Sequence, residues 1–141
     1  MSDLFGQIVG ALGSGLPRLL GHALIASALL AVGILVYTRI TPFHERPLIA
    51  QGNVAAGVTL GGAVVSLAVP LAAMLATSLA TIDILVWGVV AVVLQLVAFM
   101  VVALLLKDLR RMIEGGNLAA AFALAGVQLA VALLNAGAMA G

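Results

Sequence analysis

The chain has 141 residues, of which 65% are hydrophobic and only 8% charged, with a mean hydropathy of +1.32. Soluble domains use roughly 45–50% apolar and about 25% charged residues, so this composition excludes a soluble globular domain and indicates an all-α integral membrane protein. A net charge of +1 gives no electrostatic case for a nucleic-acid partner, and the absence of cysteine excludes disulfides, thiolate metal sites and cysteine nucleophiles.

At the N-terminus, Leu4, Phe5, Ile8, Val9 and Leu12 recur at helical spacing while Gly6, Gly10 and Gly13 fill the other face. Residues 1–18 therefore read as a short interfacial helix ended by the turn-forming GSGLP, with a frayed terminus as the alternative. Asp3 is present and no Lys or Arg precedes Arg18, the reverse of a basic leader, so a secretory signal is not expected.

Four stretches then reach the roughly 20 apolar residues that a helix needs to cross a hydrocarbon core. They are Leu19 to Thr38, Val54 to Ser78 with an internal Pro70 that predicts a kink, Ile84 to Leu106, and Leu118 to about Ala140. Lipid offers no partner for an open strand's backbone, so each must be helical. Residues 19–80 form one predicted hairpin and residues 81–141 a second. Arg39 and Arg46 fall between the first two spans, and Lys107, Arg110 and Arg111 between the last two, with Arg18 alone on the other side. The positive-inside rule places both Arg-bearing loops in the cytoplasm and both termini outside, the periplasm of a bacterial inner membrane.

A shift of 64 residues superimposes Gly52-Asn53 on Gly116-Asn117 at the start of the second and fourth spans. Each unit would contain two spans, an even number, so the second copy enters the membrane in the same sense as the first and the repeat is of the parallel kind. Asn53 and Asn117 are predicted N-caps, and the glycine before each frees the chain to turn out of the loop. Small residues follow at spacing four: Gly57 and Gly61 correspond to Ala121 and Ala125, and Gly62 to Gly126. Such faces let helices approach closely where lipid removes the hydrophobic drive, so the second and fourth spans are expected at the centre, against each other or against a second copy in a homo-oligomer.

Polar residues inside the spans are the candidate functional positions. Gln95 and Gln128 lie near the middle of the third and fourth spans, where an interhelical hydrogen bond is expected; a polar lining for a pore or substrate is the competing reading. Asn135 is two helical turns beyond Gln128 on the same face, and His22 near the outer end of the first span reads as an interfacial side chain. Asp83 and Trp87 suit a helix start and an interfacial belt. Asp3, Glu45, Asp108 and Glu114 are all assigned to boundaries or loops, so no carboxylate is expected deep enough to carry protons alone. Arg46, Arg110 and Arg111 near helix starts either anchor the topology or meet phospholipid headgroups, the expected lipid contact. No convergent nucleophile, base or metal set marks an enzyme or a cofactor site.

The stretches TPFHERPLIAQGNVAAGVTLGGAVVSLAVPLA, DILVWGVVAVVLQL and LAVALLNAGAMAG resemble the YjfL-type bacterial inner-membrane proteins, a UPF0719-like family classed as domain of unknown function number 350. The resemblance runs from about Leu19 onward. It rests on Thr41, Pro42, Glu45, Leu48, Ile49, Gly52, Asn53, Ala55 and Ala56, on Asp83, Trp87 and Gln95, and on Leu133 to Ala136; His44 departs from the acidic or polar residue usual there. It implies membrane location without an activity, and a setting beside envelope-stress proteins of the phage-shock type as membrane partners. The expected function is therefore a structural or accessory component that self-associates through Gly/Ala faces. A small channel or transporter subunit with a path lined by Gln95, Gln128, Asn135 and Thr59 is the alternative.

Overall fold

The computed structural model describes residues 2–78 and 80–141. Six helices appear in chain order: α1 (Ser2–Ile40), α2 (Glu45–Ala50), α3 (Val54–Thr77), α4 (Thr81–Leu105), α5 (Leu109–Glu114) and α6 (Leu118–Ala140). Four of them, α1, α3, α4 and α6, are long and apolar enough to cross a membrane. Their outer faces carry the large apolar side chains, among them Leu24, Leu104, Leu105 and Leu134. That distribution is the one expected where the solvent is hydrocarbon, since an exposed Leu there loses nothing.

The expected break at GSGLP is absent. α1 runs through Gly13, Ser14, Gly15 and Pro17 as one helix of 39 residues, about 58 Å at 1.5 Å per residue and nearly twice the roughly 30 Å hydrocarbon thickness. Proline in a helix removes one donor and crowds the carbonyl four residues back, which here belongs to Gly13, a residue with no side chain to add to the crowding. Ser14 turns its hydroxyl inward, donating to the Gly10 carbonyl at 3.0 Å. A single lost bond does not stop a helix whose remaining backbone groups are paired. Residues 3–20 are exposed on every side, so this half of α1 extends beyond the packed part of the bundle, continuous with the span.

The most extensive helix pair is α3 with α6. A Cβ built on Gly62 would lie 2.5 Å from the Ala125 Cβ and 3.1 Å from its Cα, so glycine is what permits this approach. Ala55, Ala56 and Ala63 of α3 and Ala120, Ala121 and Ala125 of α6 are buried along the seam. Gly57, Gly61 and Gly126 are not in it: a Cβ at any of these three would meet nothing within 4 Å. Around the seam, α1 packs on α3 and α4, and α4 also touches α6. At the basic-loop end the core is sealed by Tyr37, Phe43, Phe99, Leu109 and Ile113, with Tyr37 and Phe99 edge to face at 4.7 Å between centroids.

The turns entering α3 and α6 have the same local geometry. Gly52 and Gly116 adopt φ of +82° and +77°, a left-handed conformation that disfavours side chains. Asn53 and Asn117 follow in extended conformation, and their side chains accept from the Ala56 and Ala120 amides at 3.0 and 3.1 Å. Only Asn53 does more: its Nδ2 donates to the Ile113 carbonyl at 2.8 Å and to the Glu114 carbonyl at 3.2 Å, tying the start of α3 to the end of α5.

Two consequences can be measured by thermal unfolding in detergent. Gly62→Ala drives a methyl into Ala125 and should lower stability by about 1–3 kcal/mol, with recovery in the Gly62→Ala/Ala125→Gly pair, whereas Gly57→Ala should be neutral. Asn117→Leu should cost about 1 kcal/mol for the lost cap. Asn53→Leu should cost more, and Asn53→Asp, which keeps the capping oxygen but loses the donor, should fall between the two; equal losses for Asn53→Leu and Asn117→Leu would remove the bridging role.

Candidate functional site

Polar residues that would be scattered on a soluble surface are collected here inside the bundle. Thr41, Glu45, Thr59, Ser66, Gln95 and Gln128 are all buried. Thr59 and Ser66 are self-contained, each donating at 2.9 Å to a carbonyl three residues back, of Ala56 and Ala63 respectively. Thr59 therefore has its hydroxyl engaged within α3 and does not line the narrow cavity at the bundle centre. Pro70, buried within α3, has no N–H to offer the Ser66 carbonyl.

Gln95 and Gln128 meet at mid-helix depth, but not side chain to side chain. Gln95 Nε2 donates to the backbone carbonyl of Gln128 at 2.8 Å. Both line a narrow cavity of about 160 Å³, bounded also by Tyr37, Ser66 and Phe99, no part of which admits a water molecule. A dry polar cavity leaves its lining groups dependent on one another. Among the described residues, Gln95 Oε1, both amide atoms of Gln128, the Tyr37 hydroxyl and Glu45 Oε1 are buried without a hydrogen-bond partner. Tyr37 faces both the Glu45 carboxyl and the Gln128 amide without closing a bond to either.

Glu45 lies in the connection between the first two spans, as expected, but it is buried there. It opens α2, yet only 2% of its surface is accessible. The covering comes from the aromatic and aliphatic side chains that seal this end, and its one hydrogen bond is from the Thr41 hydroxyl to Oε2 at 3.3 Å. Burial pushes the Glu45 carboxyl above the ordinary carboxylate range, with Thr41, His44 and Tyr37 opposing in part. Tyr37, Thr41 and Glu45 follow at spacing four, a signal available in the sequence that hydropathy alone passes over.

The other predicted positions lie elsewhere. Asn135 does not join the Gln pair; its Nδ2 reaches the Ala91 carbonyl only at 3.5 Å, and it lines a second, open cavity of about 670 Å³ with Asp83, Trp87, Thr77 and Ser78 at the end away from the basic loops. His22 Nε2 is 3.2 Å from the Thr81 hydroxyl, linking α1 to the start of α4. Arg46, Arg110 and Arg111 are exposed, and Arg110 pairs with Glu114 at 2.8 Å, a surface pair of little energetic weight.

Comparison with known proteins places this arrangement in a family. Two relatives, both called UPF0719 inner membrane protein YjfL, from Escherichia coli strain K12 and from Escherichia coli O157:H7, are each 30% identical over 115 residues, covering 82% of this chain and 87% of theirs. No solved structure matches. The family described as Domain of Unknown Function (DUF350) matches residues 11–139, so this multi-pass inner-membrane chain, with its sealed polar centre, belongs to that family of unknown function.

Proposed function

We propose that the protein is a structural or accessory component of the bacterial inner membrane that self-associates through the Gly57/Gly61 face of α3. The observation that carries this reading is the division of the small residues. Gly62, Ala121 and Ala125 are consumed by the α3–α6 seam, whereas a Cβ on Gly57, Gly61 or Gly126 would meet nothing within 4 Å, so these three stay outside it. Glycine inside a lipid-facing helix leaves a shallow groove that lipid fills poorly and a second helix fills well. Both Arg-bearing loops lie in the cytoplasm in this reading, with both termini in the periplasm, because five of six cations sit at the α1–α3 and α4–α6 connections. Exposed Arg46 and Arg111 would then face the anionic headgroups of the inner leaflet. The cellular setting we assign is envelope stress or membrane maintenance, alongside a membrane partner, on the strength of the family resemblance.

The chain has no cysteine, so a single Gly61→Cys reports cleanly on contact. Oxidation of this variant in native membranes should give a disulfide-linked dimer, and Gly61→Leu should weaken association at least tenfold in a mass measurement in lipid nanodiscs. A strictly monomeric wild-type protein would overturn the reading.

A second reading, a small channel or transporter subunit, is favoured by the open cavity that brings Asp83 and Asn135 to one end of the bundle while Gln95 and Gln128 lie deeper. It predicts solute or ion flux in proteoliposomes that falls with Gln128→Leu, while absence of flux from the wild-type protein returns the polar centre to a structural role.

A further inference from the structure

Five buried polar atoms without partners lie on three transmembrane helices and one loop helix: those of Tyr37, Gln95 and Gln128 border one dry cavity, Glu45 faces Tyr37, and one addition pairs all of them. Thr41 already donates to Glu45 Oε2, so Oε1 is the free oxygen of that carboxyl. We propose that Glu45 is a proton-binding site whose protonated carboxyl starts a one-way hydrogen-bond chain through Tyr37 and Gln128 to Gln95. A proton taken from water at the basic-loop face onto Oε1 lets Glu45 donate to the Tyr37 oxygen. The Tyr37 hydrogen then goes to Gln128 Oε1, and Gln128 Nε2 donates to Gln95 Oε1. Gln95 Nε2 already donates to the Gln128 carbonyl and closes the chain. Each of the unpartnered atoms gains a partner, and no water is needed in a cavity that admits none.

Loss of the proton reverses the direction. An ionised carboxylate only accepts, so Tyr37 turns its hydrogen to Glu45 and offers lone pairs to Gln128. The Gln128 amide must then rotate to present Nε2, which sets its Oε1 against Gln95 Oε1, acceptor on acceptor. Gln95 escapes only by turning its own amide and giving up the bond to the Gln128 carbonyl. A charge change at the loop edge thereby reorients an amide pair about 15 Å along α4 from its basic-loop end. Few other charges interfere. Tyr37 faces Glu45 from the end of α1 and Thr41 from just beyond it, His44 and the exposed Arg46 are its neighbours in chain, and Arg39 near the end of α1 is exposed. α3, packed on α2, carries no charged residue, and the charged residues of α5, Arg110, Arg111 and Glu114, are exposed. The upward displacement of the Glu45 carboxyl by burial agrees with a proton held there.

The chain contains two Glu and four Gln, so the full-length protein in nanodiscs, labelled with ¹³Cδ-Glu and ¹⁵Nε2-Gln, gives a spectrum that can be assigned by single substitutions. The Glu45 carboxyl should titrate above the ordinary value of 4.5, and the Gln95 and Gln128 amide resonances should move with the same midpoint, in sodium and in choline chloride alike. Glu45→Gln should hold those amides at one position across the pH range, and Tyr37→Phe should uncouple them from the carboxyl. Because the folded-state midpoint is raised, the melting temperature should fall as pH rises from the unfolded value through that midpoint, and Glu45→Gln should remove this dependence. An ordinary Glu45 midpoint, amide resonances that stay still while Glu45 titrates, or a sodium-dependent midpoint would each overturn the proposal; the wild-type titration decides even where a variant does not fold.

Discussion

The close approach of α3 and α6 at Gly62 and Ala125 is the contact on which the rest of the bundle depends. Lipid competes with side chains for apolar contact on equal terms, so helices associate by surface fit and by the few polar bonds they share. Removing one side chain at Gly62 brings two helix backbones together over a seam of alanines. That seam places Ser66 and Gln128 on walls of the same small cavity, and it is against this pair that α4 lays Gln95 and α1 lays Tyr37. The polar centre is thus a product of the tightest packing in the molecule.

The two ends of the bundle are built differently although their turns are alike. At the basic-loop end, aromatic side chains, α2, α5 and the two Asn caps close the structure, and Asn53 ties α3 to α5 across it. The opposite end remains open around Asp83, Trp87 and Asn135. The matching turns at Gly52-Asn53 and Gly116-Asn117 therefore start helices in the same way while serving unequal surroundings: Asn53 is half-buried and bridging, Asn117 exposed and capping only.

What the sequence makes legible is what depends on near neighbours or on lipid. Four spans follow from hydropathy, and the left-handed glycines and the capping asparagines follow from turn chemistry that operates within a few residues. What depends on three-dimensional context does not. GSGLP reads as a break because its glycines, serine and proline favour turns in water, yet in α1 the penalty falls on one carbonyl and the helix continues. Gly61 and Gly62 are neighbours in sequence and point about 100° apart on a helix, so only the packed structure tells which of them meets α6. Glu45 reads as a loop charge until Phe43 and Ile113 are seen to join the same sealed end. Its spacing of four from Thr41 and eight from Tyr37 was the available clue, hidden because the intervening residues leave the helix.

Polar atoms buried in a lipid-facing bundle weaken it unless they are paired, and an apolar core of the same shape would be at least as stable. Satisfying one such group locally is easy, as Thr59 and Ser66 demonstrate by bonding to their own helix. Tyr37, Glu45, Gln95 and Gln128 have no such local solution, since each unpartnered atom faces another element. Their hydrogen-bond states are consequently shared, and where Tyr37, Gln95 and Gln128 border a cavity with no room for water the sharing has to be direct. A group of this kind has few arrangements that satisfy every member, and which of them is adopted depends on the one member whose charge can change. That member is Glu45, the one closest to the loops and the only carboxyl buried among the described residues.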